Sequence, residues 1–511
     1  MSWPGAALLS LSDKRGAADF ARALARGGTR ILASGGTARH LEAEGVAVTP
    51  IEEWTGFPEL IGGRVKTLHP HVHAPILARR GVPLDLEELK HRGIEPIDLV
   101  AVTLYPFEAR AHALEETQAV EEIDIGGVAL LRAAAKNFAD VIVVNDPARY
   151  ADVLSALESG GPSRAERRTW AIETFARTAR YDAAIAGDLA GRGAEGGAAP
   201  PIRVLALERA RSLRYGENPH QQAALYARAG EAAALEAWRE GKELSYNNLL
   251  DLEAAVTLAG VFREPACVIV KHNQPCGAAC AGSPSEAYSR ALKSDELSAY
   301  GGIVAFNRPL DGEAAVRLGN QFVECVAAPD FAPEADAALR GKKNLRMVRL
   351  TSSDFSSDDP WAVRLVGRWA LLQKAGESPA PEWRCVTKRA PSSDELAALR
   401  FAWEVAAAAR SNAIALARGT ALIGLGSGQT SRVDAVDVAL MKARRAAHDL
   451  AGAVLASDGF FPFADNVEHA AEDGIAAIVQ PGGSMRDAEV IAACDRLGVA
   501  MMFTDRRTFR H

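Results

Sequence analysis

Lys271 and His272 stand side by side in CVIVKHNQPCGAA, at the end of the apolar run Cys267–Val270. An imidazole titrates near neutral pH and can take a proton from an attacking nucleophile. An ammonium beside it can stabilise negative charge that develops during the reaction, or hold the ring neutral. The pattern predicts a buried strand over Cys267–Val270, a Pro275-Cys276-Gly277 turn, and small residues that start a helix. The pair would then sit at the carboxyl end of a strand, where open α/β sheets bind ligands. A histidine that merely ends a strand, beside a solvated lysine, would give the same string, so the pair acquires meaning only from its surroundings.

The first half of the chain offers a second group. Ser34, Gly35, Gly36 and Thr37 fall between a predicted strand and a predicted helix. Glycines let the backbone approach an anion, and a helix N-terminus presents unpaired N–H groups to it, so this is a small-phosphate site by mechanism. It is not a P-loop, since no GxxxxGK[ST] lies near it. An ordinary capped turn is the bland alternative. Ser10, Ser12 and Lys14 stand at the end of the first strand, and Lys14 could neutralise the same phosphate. Arg64, Lys66 and Thr67 in GGRVKTLHPHVHAPILARR could bind an anionic substrate. His69, His71 and His73 share a face only if that segment is extended, and Pro70 with no interleaved carboxylate makes a metal site a weak reading. Tyr105 ends a strand. Asp124 precedes a Gly126-Gly127 turn, and Arg132 and Lys136 share one helix face. Lys66, Tyr105, Asp124 and Lys136 could together move protons.

The elements that must position these groups are legible as an alternation. Ala6–Ser12, Thr29–Ser34, Val46–Ile51, Asp98–Phe107 and Asp140–Asp146 read as strands, with helical segments such as Gly16–Gly28 between them. That order predicts a parallel sheet flanked by helices. Gly191–Pro201, rich in Gly, Ala and Pro, reads as a linker, dividing a domain of residues 1–195 from one of 202–511. Beyond it, Ser392 and Glu395 form a capping box before a long helix, and two short strands meet at Gly419. The segment GIAAIVQPGGSMRDAEV near the end loosely echoes CVIVKHNQPCGAA, which allows two related lobes.

Composition bounds the class. The 511 residues suffice for about three domains of about 150 residues, and 48% hydrophobic with 24% charged residues fits full-sized cores. A net charge of -7 argues against a nucleic-acid binder. No apolar run reaches the length of about 18 residues that a membrane helix needs, and MSWPGAALLSLSDKRG lacks a basic leader region, so a cytoplasmic protein is expected. The six cysteines include no Cys-x-x-Cys pair, and Cys276 and Cys280 have no His-x-Glu upstream. Buried free thiols are expected, and a zinc-dependent deaminase is not.

Many short strings then occur in order along nearly the whole chain. SDK, ASGGTA, TGFPE, GGRVKTLHP, LYPF, IDIGG and LLRAAAKN run through the first half. RYGENPHQ, YNNLLDLEAA, KHNQPCG, SAYGGIVAFN, GSGQTSRVD, SDGFFPFADN and QPGGSMRDAEVI run through the second. The chain resembles the bifunctional purine-biosynthesis family that combines AICAR transformylase with IMP cyclohydrolase. The resemblance implies an N-terminal methylglyoxal-synthase-like α/β domain and two C-terminal cytidine-deaminase-like lobes without catalytic zinc. It implies formyl transfer from the cosubstrate 10-formyltetrahydrofolate to AICAR, dehydrative closure of formyl-AICAR to IMP, and a homodimer with transformylase sites across the subunit interface.

Carried onto this sequence, the resemblance assigns phosphate binding to Ser12, Lys14, Ser34, Gly35, Gly36 and Thr37, and the nucleotide pocket to Arg64, Lys66 and Thr67. Ring closure falls to Lys66, Tyr105, Asp124 and Lys136. Formyl transfer falls to Lys271 and His272, with Asp465 near the folate. Arg214, Tyr215 and Arg507 would bind the AICAR phosphate and base, and Asn248, Asn412, Arg432 and Phe460 would line the nucleotide and folate sites. Two positions depart from the family pattern: Thr103 stands where Asn is usual, and Gln274 where Asn often is. A transformylase whose first domain only senses a phosphorylated ligand is the competing reading. The joint presence of Lys66, Tyr105, Asp124 and Lys136 favours catalysis over it.

Overall fold

The computed structural model describes residues 3–192, 198–228, 239–241, 243–357, 359–374 and 382–511. These divide into two compact units, Met1–Leu207 and Glu208–His511. The helix Arg164–Arg192 runs into the first two residues of the Gly-rich segment expected as a linker, and residues 193–197 lie outside the described set.

In the first unit, strands β1 (Ala6–Leu11), β2 (Arg30–Ala33), β3 (Thr49–Pro50), β4 (Leu99–Thr103) and β5 (Ile142–Val144) form one sheet in the order β3-β2-β1-β4-β5. Every pairing is parallel. Parallel strands are covered on both faces, which is why AALLSL and LVAVT are nearly unbroken apolar runs. Leu8, Leu9, Phe20, Leu24, Leu32, Val100, Leu130, Leu131 and Tyr181 belong to the core. The third strand is shorter than Val46–Ile51: Ile51 already begins the helix Ile51–Thr55, after Pro50. The chain moves outward on one side of β1 through β2 and β3, then returns to its other side as β4. β1 and β4 therefore flank a topological switch point, the place where such sheets leave a crevice at their carboxyl ends.

The second unit begins with a ribbon, β6 (Leu207–Leu213) with β7 (Ala223–Arg228). Next come β8 (Arg239–Gly241), β9 (Ala266–Lys271), β10 (Gln274–Cys280), β11 (Ile303–Phe306), β12 (Cys325–Ala328) and β13 (Arg346–Arg349). A second ribbon, β14 (Trp361–Val366) with β15 (Trp369–Lys374), precedes β16 (Arg384–Cys385), β17 (Ile414–Arg418), β18 (Ala421–Gly426), β19 (Val454–Ser457), β20 (Ala477–Gln480) and β21 (Ala500–Phe503).

Twelve strands make one sheet in the order β16-β21-β20-β19-β17-β18-β10-β9-β11-β12-β13-β8. Read from the centre outward, both halves are the same: a hairpin, an antiparallel neighbour, two parallel neighbours and a closing antiparallel edge. A capped helix precedes each hairpin, Tyr246–Val261 in one half and Ser393–Ala408 in the other. Both begin with a capping box, Ser245 with Asn248 and the expected Ser392 with Glu395. The unit is thus a duplicated lobe, joined where β10 meets β18.

Three expectations are corrected here. CVIVK does not run through a Pro-Cys-Gly turn into a helix. The turn is His272-Asn273, which begins three residues earlier, and Pro275-Cys276-Gly277 lies inside β10, which pairs back on β9 from Gln274 opposite Lys271. Both turn residues have positive φ, as a two-residue hairpin of type I′ requires. Small residues run on because β10 is buried, not because a helix begins there. The duplication also pairs CVIVKHNQPCGAA with IALARGTALIGLG, the β17–β18 hairpin that turns at Gly419, and not with GIAAIVQPGGS, whose strand is the parallel β20. Five cysteines are buried as expected, but Cys385 is exposed because β16 is the edge strand of its lobe.

Candidate active sites

A cleft of about 740 Å³ opens in the first unit beside the switch point. The carboxyl ends of β1, β2 and β4 deliver Ser12 and Lys14, Ser34 to Thr37, and Tyr105 to its walls. Arg64, Lys66, Thr67 and Asp124 complete it, from two loops distant in sequence. Two helices begin there, Gly35–Ala43 and Gly126–Lys136, and neither is capped by the side chain before it. The N–H groups at the start of Gly35–Ala43 give the cleft a positive end suited to phosphate, whereas Gly127 N at the start of the other helix is taken by Asp124.

Individual side chains differ in how free they are. Thr37 lies in the wall, but its hydroxyl accepts from Leu11 N (2.8 Å) and donates to Leu11 O (3.2 Å), so it ties the helix to β1. Arg64 reaches Glu121 across the mouth of the cleft, with Nε 3.2 Å from Oε2. That pair is exposed and weak enough to open for a ligand. Lys66 Nζ lies 3.0 Å from Glu59, and Gly63 lets it pass: with φ +93°, it has no side chain, and a Cβ would sit 2.7 Å from Lys66 Cε. Thr103, the first departure from the family pattern, accepts from Asp13 N at 2.9 Å and so fixes the loop that carries Lys14.

Asp124 is the most tightly held group. Its Oδ1 accepts from Gly127 N at 2.7 Å, and its own N–H donates to the buried Tyr181 hydroxyl at 2.8 Å. Burial pushes its carboxyl above the ordinary range, against the N–H groups of Gly127 and Tyr105, which favour the anion. Gly127 is needed for this contact, since a Cβ there would lie 2.5 Å from Asp124 Oδ2. On the family resemblance, we therefore expect Gly127→Ala to displace the Asp124 carboxylate and lower ring closure by up to about 10²-fold, with formyl transfer unchanged. Assaying the two half-reactions separately checks this.

Lys136 does not join the cleft. It occupies the last turn of the helix whose first turn adjoins Asp124, and at 1.5 Å of rise per residue the two ends are roughly 15 Å apart. Arg132 stacks over Phe175 at 5.5 Å instead of lining the cleft. The histidine segment is not extended: His69 caps the helix Pro70–Leu77, which carries His71 and His73. Among the described residues no group of three His, Cys, Asp or Glu side chains could hold a metal.

In the second unit, His272 occupies the turn after β9, exposed to solvent, and Lys271 Nζ donates to Tyr300 O at 2.6 Å. The helix Tyr246–Val261 runs beneath. Its Asn248 closes the capping box and donates to Glu324 Oε2 at 3.1 Å, and its Asp251 accepts from Asn273 N. Arg214 lies 5.5 Å over the ring of Tyr215 just past β6, and Glu217 O accepts from Asn247, the neighbour of Asn248.

A second cluster lies in the other lobe. Arg432 donates from Nη1 to Ser457 (2.8 Å) and to the fully buried Asp458 (2.5 Å), and from Nη2 to Asn412 Oδ1 (2.7 Å). Asn412 is therefore oriented by Arg432 on one side and by Gln429 O on the other. Phe460 and Arg507 are exposed, with Arg507 4.9 Å over Phe509. Asp465 begins the helix Asp465–Glu472 and accepts from Asn466 N at 2.7 Å. Gln274, the second departure, links the clusters: its Oε1 accepts from Arg410 N at 3.0 Å, two residues before Asn412.

Sequence reasoning missed Asp251, Glu324 and Asp458. Asp251 stands three residues after Asn248, a spacing that shares a helix face and could have flagged it. Asp458, directly after the strand VLAS, is a carboxylate at a strand end of the same kind as the lysine and histidine that were singled out.

Known proteins resemble this chain along nearly its whole length. A family profile described as "MGS-like domain" matches residues 16–129, and one described as "AICARFT/IMPCHase bienzyme" matches residues 134–442. The chain is 48% identical to the bifunctional purine biosynthesis protein PurH of Chloroflexus aurantiacus, over 99% of this chain and 98% of that one. It is 48% identical to PurH of a Cyanothece species over 99% and 100% of the two chains, and 45% identical to PurH of Persephonella marina over 99% of each.

Proposed function

The chain belongs to the AICARFT/IMPCHase bienzyme family, and from that premise we propose how its residues divide the work. It is a bifunctional enzyme of purine biosynthesis, which formylates AICAR and closes formyl-AICAR to IMP. Residues 1–195 carry out the closure and residues 202–511 the formyl transfer. The observation that carries this reading is the cleft at the switch point, whose lining includes every residue singled out for ring closure except Lys136.

In closure, Ser12, Lys14 and the helix start at Ser34, Gly35, Gly36 and Thr37 hold the nucleotide phosphate, with Arg64 and Thr67 along the pocket. The carboxamide nitrogen must attack a formyl carbon held within reach, so positioning supplies much of the rate. Lys66 and Tyr105 stabilise the alkoxide that forms on the formyl oxygen, Asp124 takes the proton from the attacking nitrogen, and the protonated oxygen then leaves as water with the proton of the formylated nitrogen, which forms the ring C=N bond. Lys136 is left out because its helix holds it away from the cleft.

In formyl transfer, the amine of AICAR is a poor nucleophile, because the ring and carboxamide withdraw its electrons. His272 removes its proton during attack on the formyl carbon, Lys271 stabilises the tetrahedral oxygen, and collapse of that intermediate breaks the bond to N10 of the folate, which leaves with the proton as tetrahydrofolate. Arg214, Tyr215 and Arg507 grip the nucleotide, since a guanidinium fork matches phosphate oxygens. Asn248 and Asn412 orient the base, Arg432 acts by aligning Asn412, and Phe460 and Asp465 meet the folate.

The formyl donor is 10-formyltetrahydrofolate, used as a cosubstrate, and no catalytic metal takes part. The enzyme works as a homodimer in the cytoplasm, without nucleic acid or membrane. The ribbon β14–β15 supports a covered surface, with Leu365 79% and Trp369 66% exposed in the single chain. Among the described residues no helix is long and apolar enough to cross a membrane.

The test is an assay of the full-length protein with AICAR and 10-formyltetrahydrofolate that resolves tetrahydrofolate, formyl-AICAR and IMP. Tetrahydrofolate and IMP are expected together. Formyl-AICAR accumulating alone would reduce the first domain to a sensor of phosphorylated ligand, and no tetrahydrofolate would remove formyl transfer.

A further inference from the structure

His272 and Asn273 both hold positive φ, 53° and 59°, a conformation that disfavours most L-residues and that glycine adopts freely. Successive residues bent in this way can aim their peptide N–H groups toward one point, a concavity suited to an anion. Here the chain supplies the anion itself. Asn273 N–H donates to Asp251 Oδ1 at 2.5 Å, and the backbone of His272 also favours the ionised carboxylate. Asp251 reaches the turn from the helix Tyr246–Val261, one turn after the capping residue Asn248.

The carboxylate is costly to keep in place. Burial is the largest influence and pushes its carboxyl above the ordinary range, and Glu324 adds to that. The two turn N–H groups and the His272 ring act in the opposite sense. The interactions that offset the cost of this charge thus come from the turn that carries the candidate base.

We propose that Asp251 is a positioning residue for formyl transfer: its carboxylate fills the cradle made by the His272–Asn273 turn and fixes the ring of His272 for proton removal from the substrate amine. The proposal rests on the reading of His272 as the base. A general base must lie within hydrogen-bond reach of its proton, and a misplacement of about 1 Å can cost about 10²-fold. Without the carboxylate, two non-glycine residues must hold the left-handed conformation unaided, and the ring loses its fixed origin.

The experiment uses the full-length enzyme with Asp251→Asn, Asn273→Gly, the double variant and His272→Ala. It measures kcat and KM for AICAR in formyl transfer, with AICAR binding by calorimetry as the check that the site is folded. Asp251→Asn is expected to lower kcat by at least about tenfold while KM and binding stay within about threefold. Asn273→Gly alone is expected to act like the parent. The double variant should return to within about threefold of the parent, because glycine takes the turn conformation without an anion to hold it.

Full kcat in Asp251→Asn would overturn the proposal. So would a loss that Asn273→Gly does not relieve, since the carboxylate would then act through packing or in the proton transfer itself. An inactive His272→Ala makes these outcomes speak to Asp251 alone. Full activity in His272→Ala would remove the base assignment, and this proposal with it.

Discussion

His272→Ala is expected to lower formyl transfer by about 10²–10⁴-fold, the range for loss of a general base, while closure of supplied formyl-AICAR proceeds at the parent rate. The first half of this result follows from the chemistry of the amine. Its lone pair is delocalised into the ring, so attack without proton removal gives a high-energy cation. The second half follows from the topology. His272 lies on the turn between β9 and β10 of the second unit, whereas the cleft is built wholly from residues 10–127 of the first. The measurement is a pair of assays on one preparation, tetrahydrofolate release from AICAR and IMP formation from formyl-AICAR. Equal loss of both activities would contradict separate sites. Lys271→Ala should follow the same pattern with a smaller loss, because Lys271 acts on charge and its Nζ is shared with Tyr300 O.

Asp124→Asn is the complementary case, with an expected loss of about 10²-fold or more in ring closure and none in formyl transfer. The amide is nearly isosteric and can still accept from Gly127 N, so the fold of the loop should survive. What it loses is the charge and the proton site. The sign of the pH effect follows from burial, which raises the Asp124 carboxyl above its ordinary value. The ionised form required for proton transfer is therefore gained later on rising pH than for a solvated carboxylate. The closure rate of the parent should show an acid limb displaced above the ordinary carboxylate range, and the residual rate of Asp124→Asn should lack it. For stability the sign is opposite to that of a salt-bridged aspartate. A raised carboxyl contributes stability when protonated, which is lost as pH rises from the unfolded value through the folded one. Asp124→Asn should accordingly be at least as stable as the parent at neutral pH, as thermal unfolding would show.

Much of the first site was legible in the string. Ser34-Gly35-Gly36-Thr37 combines residues that suit a strand-to-helix turn with residues that leave the helix start uncovered, and both are local properties. The strands beneath could be read because parallel sheets demand apolar runs. Lys136 lies outside the lining of this cleft in the single chain, for a reason that a string does not show. Twelve residues separate it from Asp124, and only the helix between them reveals that a regular rise carries it away from the cleft. The Thr37 hydroxyl likewise meets a partner that the string does not reveal, the backbone of β1, 26 residues away.

The second unit was less legible. A string of small residues after Lys271-His272 fits a helix start and a buried strand alike, since both tolerate them. The left-handed pair His272-Asn273 decided in favour of the strand, and its conformation is held by Asp251 from a helix 22 residues upstream. Arg432 illustrates the same limit. Its type pointed to an anionic ligand, yet three side chains of the protein take its guanidinium.

The sequence by itself determined the family, the two activities and the residue types available for them, because these depend on ordered local strings and on side-chain chemistry. Only the tertiary structure decided which of those residues meet in one cleft, which are consumed in holding others, and where the catalytic turn lies. Those outcomes depend on hydrogen bonds and packing between segments far apart in the chain, where a displacement of about 1 Å separates a reacting group from a structural one.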